Sequence, residues 1–318
     1  MALRKIVVAG SSGTLADHVL GALLDSKTAD FTVTVLTRRD SGKNVSVPGA
    51  RVVQVNYDDK NELISAVADA DAIINLVSGK VGSVVDLQLL DAAKKAGVRR
   101  IFPSSCGLDI LHPVATSLLT RSDGSALGKG VAPIQNARMF LALGEENSSV
   151  SFTTLVPSIF LDAALEGRFG TIEPQNRKVT VFNGGEEYFT GCSLPFLGAC
   201  FAAVLQMDEE STKNKRIRVA EVRTTLNEIV DTFEKVAKVP FEKVPASLEA
   251  VAAKREMLLS ENQALPAFHL SLLISLFNGC GAGDIEDGLE FDGEGFLVGK
   301  RKSIEELVAE AVSKVKVV

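Results

Sequence analysis

Cysteine and histidine are scarce in this chain, with four cysteines and three histidines in 318 residues. Cys106, Cys192, Cys200 and Cys280 form no Cys-x-x-Cys pair, and His18, His112 and His269 are scattered. No zinc-ligand spacing is present, so a catalytic metal would have to be assembled from distant segments. The cysteines read as buried, reduced thiols of an intracellular protein. Positive charge is not in excess either. The net charge is −6, so no basic field draws the chain to nucleic acid or to an anionic membrane surface. Long apolar runs are missing as well. The longest candidate, Ala267 to Phe277, is interrupted by His269 and two serines and falls short of the roughly 18 residues a membrane span needs. The first residues give one apolar strand and then glycines, which is not a signal-peptide pattern. A cytosolic protein is the expectation. Internal repeats and low-complexity segments are also lacking.

What remains is ordinary globular composition, 46% hydrophobic and 23% charged, over a length that suits one large α/β domain or two intimate ones. Ile6-Val7-Val8-Ala9 is a short continuous apolar run, as expected of a parallel strand covered on both faces. Glycines turn the chain, and 15–24 carries helical spacing. Strands are expected at 31–36, 51–55, 72–77 and 100–102. Helices are expected at 62–68 and at 84–96, the second ending at Gly97. A long loop over 107–131, a helix at 134–143 and a strand at 152–156 follow, and 217–219 reads as a seventh strand. Alternation at this spacing predicts an α/β fold, a doubly wound parallel Rossmann sheet with right-handed crossovers. Residues 1–156 are expected to form it, with a returning strand near 215–220. Residues 157–318 are expected to supply mainly a smaller, interleaved α+β substrate region.

Chemistry concentrates at the strand ends. Between the first strand and first helix lies Gly10-Ser11-Ser12-Gly13-Thr14-Leu15-Ala16. Gly10 permits the turn, Gly13 lets a pyrophosphate approach the backbone, and Ala16 lets the helix pack close to the sheet. The free N–H groups of the helix start favour phosphate. The second strand ends Thr37-Arg38-Arg39-Asp40, with Lys43 beyond. An acidic residue there would bind a ribose diol, whereas Arg38 and Arg39 suit a 2′-phosphate, so NADP(H) is the expected cofactor. Val77, Ser78, Pro103 and Ser104 close the fourth and fifth strands at the crevice where such sheets bind ligands. Ser104 and Ser105 either bond a ribose or substrate oxygen or simply cap the loop.

The glycine turn, the Thr-Arg-Arg tip and Phe102-Pro103-Ser104-Ser105-Cys106-Gly107-Leu108-Asp109 together resemble the NmrA-like, isoflavone-reductase-like branch of the short-chain dehydrogenases. Segments 151–162, 213–219 and 224–229 agree with it, nearly the whole chain is covered, and the likeness is nearest to fungal members. The resemblance implies NADPH binding, a cytosolic location and reduction of phenolic or related secondary metabolites. It also implies that Pro157 and Phe160 lie against the cofactor, Phe160 backing nicotinamide. Some members of this branch are dinucleotide-sensing regulators.

Departures from the pattern are informative. A Tyr-x-x-x-Lys relay is excluded, because neither Tyr57 nor Tyr188 has lysine four residues later. The lysine of the resembled reductases is expected near Pro133 or Ile134, where none stands; Lys129 lies upstream. The loop's acidic-aromatic pair is here Ser105-Cys106. Lys129, His112 and Ser105 are the candidate donors to a developing oxyanion. Cys106 has no cation beside it to activate its thiol and reads as packing. The leading expectation is an NADPH-dependent reductase of a small aromatic or polyketide-like metabolite. The alternatives are a redox-neutral isomerase, cyclase or dehydratase on the same fold, and a non-catalytic dinucleotide sensor. The expected partners are a small-molecule substrate and, as a candidate assembly, a homodimer.

Overall fold

Among the described residues, thirteen strands and twelve α-helices fall into two groups, or bodies, according to the sheets they join. The computed structural model describes residues 3–39, 45–77, 81–121, 123–127, 133–146, 148–291 and 300–315. The first body alternates β1 (Lys5–Ala9), α1 (Thr14–Leu24), β2 (Thr32–Arg38), β3 (Arg51–Val55), α2 (Lys60–Val67), β4 (Ala72–Asn75), α3 (Gly82–Ala96) and β5 (Arg100–Phe102). After β5 come α4 (Pro113–Leu118), α5 (Pro133–Glu145) and β6 (Ser151–Val156). Then β7 (Ile159–Phe160), α6 (Leu161–Leu165), β8 (Ile172–Glu173), β9 (Lys178–Phe182) and β10 (Phe189–Cys192) open the second body. Helices α7 (Leu194–Gln206) and α8 (Glu209–Thr212) lead to β11 (Lys215–Arg218), which returns to the first body. The chain continues through β12 (Val222–Thr224), α9 (Leu226–Ala237), β13 (Glu242–Ala246), α10 (Leu248–Ser260), α11 (Ala264–Phe277) and α12 (Ile304–Val315).

Seven strands form one sheet in the order β11-β6-β5-β4-β1-β2-β3, and every neighbouring pair is parallel. β1 lies between β2 and β4, so the order reverses beside it and opens a crevice at the carboxyl ends. The strands are apolar on both faces because helices cover both. On one face, α1 buries Ala16, Val19, Leu20 and Leu23 at helical spacing and packs on α7. That contact is close: a Cβ on Gly198 would lie 2.5 Å from the His18 carbonyl oxygen. On the other face, Leu63, Val67, Val85, Leu89 and Phe140 of α2, α3 and α5 fill a second cluster. Helix α3 stops at Gly97, left-handed at φ 76°, whose N–H bonds the Ala93 carbonyl, as expected of a glycine stop.

The second body holds two three-stranded sheets, β12-β10-β7 and β13-β9-β8. Leucine, isoleucine and valine fill most of its core, with phenylalanines stacked among them. Phe277 stacks on Phe182 at 5.3 Å and meets Phe189 edge-on at 5.2 Å. Among the described residues, no helix is long and apolar enough to cross a membrane. Within the expected loop over 107–131, the described residues form a short helix and a bridge. His112 caps the short helix α4, and Thr120 bridges Ala126. Pro113 at the helix start hid this turn from periodicity, since six residues are too few to show one.

Candidate active site

The turn after β1 depends on glycine. Gly10 has φ +92°, and a Cβ there would stand 3.0 Å from the Val77 amide nitrogen. Its N–H bonds Leu36 at 3.2 Å, which ties the turn to β2. Gly13 is the N-cap of α1 and supplies no side-chain cap. The start of α1 therefore presents backbone N–H groups and the positive end of the helix dipole to the crevice. Leu15 packs partly into the core below.

A cavity of about 810 Å³ runs from this turn across the sheet's edge. It is lined by Gly10, Ser11, Ser12 and Gly13, by Leu36 to Arg39 of the β2 end, by Asn56 to Asp58, and by Val77, Val81 and Val84. Thr37 is 6% exposed, and its hydroxyl is buried without a hydrogen-bond partner. A polar atom so placed is costly unless a ligand completes it. Arg38 and Arg39 both line the cavity, but the Arg39 guanidinium is bound to Glu62. Tyr57 lies against the same wall, where burial pushes its phenol well above the usual tyrosine range despite the neighbouring Arg38 charge. Asp40, Lys43 and Ser78 lie outside the described residues.

The ends of β4 and β5 are joined by a buried carboxylate that periodicity alone does not disclose. Asp86 of α3 has no exposure. It accepts from Asn75 Nδ2 at 2.7 Å, Ser104 N at 2.9 Å, Ser104 Oγ at 2.7 Å and Asn136 Nδ2 at 2.7 Å. Burial raises its carboxyl, and these donors oppose the rise. The Ser104 hydroxyl thus ties the end of β5 to α3 through Asp86. Pro103 is buried beside it, and Ser105 is half-buried. Burial pushes the Cys106 thiol up to about 12, so at neutral pH it is not a thiolate.

A second cavity of about 570 Å³ opens between the bodies' elements at the end of β6 and β7. Its walls are Ile159, Phe160, Leu161, Phe169, Ile172, Phe189, Leu272, Leu273, Leu276 and Phe277, with Gly107 and Leu108 from the loop after β5. Pro157 is buried where β6 leaves the sheet. Ser158 follows in a left-handed conformation, φ 64°, and donates its hydroxyl to Gly283 at 2.9 Å. Non-glycine residues hold such a backbone only where the surroundings compel it. Among the described residues lining this cavity, Arg168 and His269 are the titratable ones.

The sequence candidates separate accordingly. Phe160 is on the apolar cavity wall, and Val77 is on the polar one. His112 lines neither; its Nδ1 accepts the Val114 N–H at 3.4 Å and caps α4. Lys129 lies outside the described residues. Tyr188 is 48% exposed and stacks under the Arg223 guanidinium at 3.9 Å. His269 and Arg168 escaped the sequence reading, the first because it sits in an apolar helix and the second because it sits in an irregular turn.

Residues 3–113 match the NmrA-like family. A bifunctional pinoresinol-lariciresinol reductase from Sinopodophyllum hexandrum is 24% identical over 314 residues, covering 91% of this chain and 93% of that one. Oxidoreductase aprR of Aspergillus flavus is 26% identical over 236 residues, 73% of each chain. Among solved structures, AtPrR2 with NADP+ and (+)pinoresinol superposes with a TM-score of 0.73 at 21% identity, covering 98% of this chain and 99% of that one. A leucoanthocyanidin reductase from Vitis vinifera, solved as a ternary complex, gives 0.72 at 17% identity over 97% and 99%. The first third of the chain thus matches the NmrA-like family, and over its whole length the fold is similar to that of an isoflavone reductase, with a TM-score of 0.71 at 19% identity.

Proposed function

We propose that this protein is an NADP(H)-dependent oxidoreductase that reduces a small aromatic or polyketide-like metabolite. The observation that carries the reading is the polar cavity beside the glycine turn, where an uncapped helix start, the orphaned Thr37 hydroxyl and Arg38 converge. Those groups fit a dinucleotide. The backbone of Gly10 to Leu15 suits the diphosphate, Arg38 the 2′-phosphate, and Thr37 a ribose or phosphate oxygen. Val77 on the wall of this cavity and Phe160 on the wall of the apolar cavity would flank the cofactor, with Pro103, Ser104 and Pro157 at the ends of β5 and β6 as further candidates and Ser78 outside the described residues. When bound, NADPH supplies the hydride. The names of the relatives, reductases and oxidoreductases, support the same class of chemistry.

The chain's own part is to position and to exclude water. The apolar cavity would take a flat hydrophobic substrate against Phe160, and its walls keep solvent from the reacting atoms. His269 is the donor candidate whose side chain lines that cavity. Ser105 stands at the neighbouring strand end, and Lys129 and His112 remain the candidates of the sequence. The test is to mix the protein with NADPH and a panel of enones, quinones and benzylic ethers. Loss of the reduced-cofactor absorbance with one of them is expected, and a panel that leaves it flat counts against a reductase.

The sparse titratable lining of the apolar cavity favours one second reading, a redox-neutral isomerase, cyclase or dehydratase that kept the nucleotide as a structural element. It is told apart by product that forms while the cofactor absorbance stays constant. A dinucleotide sensor would form no product and would prefer one redox state of the nucleotide.

A further inference from the structure

Arg168 belongs to the second body yet reaches the first. It sits with Phe169 between two left-handed glycines, Gly167 at φ +89° and Gly170 at φ +75°, so the chain presents both side chains outward from a tight turn. Phe169 lines the apolar cavity, and so does Arg168. The Arg168 guanidinium donates to Glu166 at 2.9 Å, and its other terminal nitrogen stands 3.5 Å from the Thr14 hydroxyl at the first residue of α1. Glu166 is held in turn by Lys314 of α12 at 2.8 Å. Burial, which would raise the Glu166 carboxyl, is outweighed by these two cations, and it stays ionised below the usual range. One carboxylate thus serves two cations. Asp162 and Glu310 add negative charge around Lys314.

We propose that Arg168 is a further cofactor-binding residue, closing over the diphosphate from the side opposite the glycine turn. The inference rests on the dinucleotide reading of the polar cavity. Three features carry it. The helix start at Thr14 has no side-chain cap and is where the diphosphate would lie. Arg168 is already poised over that first turn by a Glu166 anchor that occupies only part of its five-donor fork. The contact bridges the two bodies, so a bound diphosphate would draw the rim of the apolar cavity against the sheet. Nucleotide binding and the shape of the substrate cavity would then be coupled through one side chain.

The experiment compares NADP+ with 2′-AMP, which carries adenine, ribose and the 2′-phosphate but no diphosphate, by titration calorimetry on the full chain. Arg168→Ala is expected to weaken NADP+ about tenfold, about 1.4 kcal/mol, and to leave 2′-AMP unchanged. Arg168→Lys, which keeps the charge and loses the fork, is expected to fall between. The gap between wild type and Arg168→Ala is expected to narrow at high salt. Arg168 is exposed, so an unchanged melting temperature is the control for folding. Equal NADP+ affinity in wild type and Arg168→Ala, or equal weakening of both ligands, overturns the inference while leaving the cofactor reading intact. A wild-type chain that binds neither nucleotide overturns that reading and this inference with it.

Discussion

The two cavities are built on opposite principles. The one at the sheet edge is made of backbone: a glycine turn, a helix start and strand ends, with a few polar side chains at its rim. The one between the bodies is made of side chains, mostly phenylalanine and leucine, on elements that differ in kind and length. A backbone site recognises what many ligands share, here phosphate, and is fixed by the fold. A side-chain site recognises what distinguishes one ligand from another and changes with each substitution. That division explains why a fold can be retained while substrates diverge.

Substitutions can break or sharpen this contrast. The largest effect is expected from His269→Gln, which should lower kcat about 100-fold on any substrate the protein turns over, the scale of one general acid, with NADP+ affinity untouched. Steady-state rates and a nucleotide titration check both halves, and full activity in the variant moves the donor elsewhere. Next comes Arg38→Ala, expected to cut the preference for NADP+ over NAD+ about 50-fold, since a charge-assisted contact is worth roughly 1.5–3 kcal/mol. Equal preference before and after would remove Arg38 from the 2′-phosphate site.

A third change addresses the loop that forms the apolar cavity's rim. Asp109 is 2% exposed and accepts from Arg216 at 2.6 Å and Arg218 at 3.0 Å. Burial alone would raise its carboxyl, but these two arginines hold it below the usual range. Asp109→Asn should cost about 2 kcal/mol at neutral pH, under the figure for a fully buried pair because the arginines are partly exposed. A carboxyl depressed in the folded state stabilises above its unfolded value and loses that contribution as pH falls through its folded value. Denaturation curves of wild type and variant should therefore converge below about pH 4. A gap that stays constant with pH would mean the ion pairs are not its source. The smallest effect is expected from Arg39→Ala, less than about threefold on nucleotide affinity, because its guanidinium is engaged by Glu62 and exposed ion pairs contribute little.

Much of the first body was legible in the sequence because its signals are local. Short apolar runs, glycine after the first strand and Gly97 after a helix each act within a few residues, and the sheet's strands fall where alternation placed them, to within two residues. The second body was legible only as an insertion. Its strands of two to five residues carry too little periodicity, and its core phenylalanines come from segments far apart in the chain. The candidate site divides the same way. Gly10, Gly13 and Arg38 announce themselves by position relative to β1 and β2. Nothing near Thr37 in sequence shows that its hydroxyl is stranded. Nothing near Ser104 shows that Asp86 claims it across eighteen residues. His269 belongs to a helix that reads as core until its neighbours are known.

One consequence follows from where β11 sits. The seventh strand of the large sheet is delivered only after most of the second body's strands have been made, so on the ribosome the sheet waits with β6 as an open margin. Until Lys215–Arg218 emerge and pair with Thr153–Val156, that margin is a bare template for other chains. Long-range closure of this kind is slow. Neither body would then be a good unit to express by itself, and aggregation during synthesis should respond most to changes along β6 and β11.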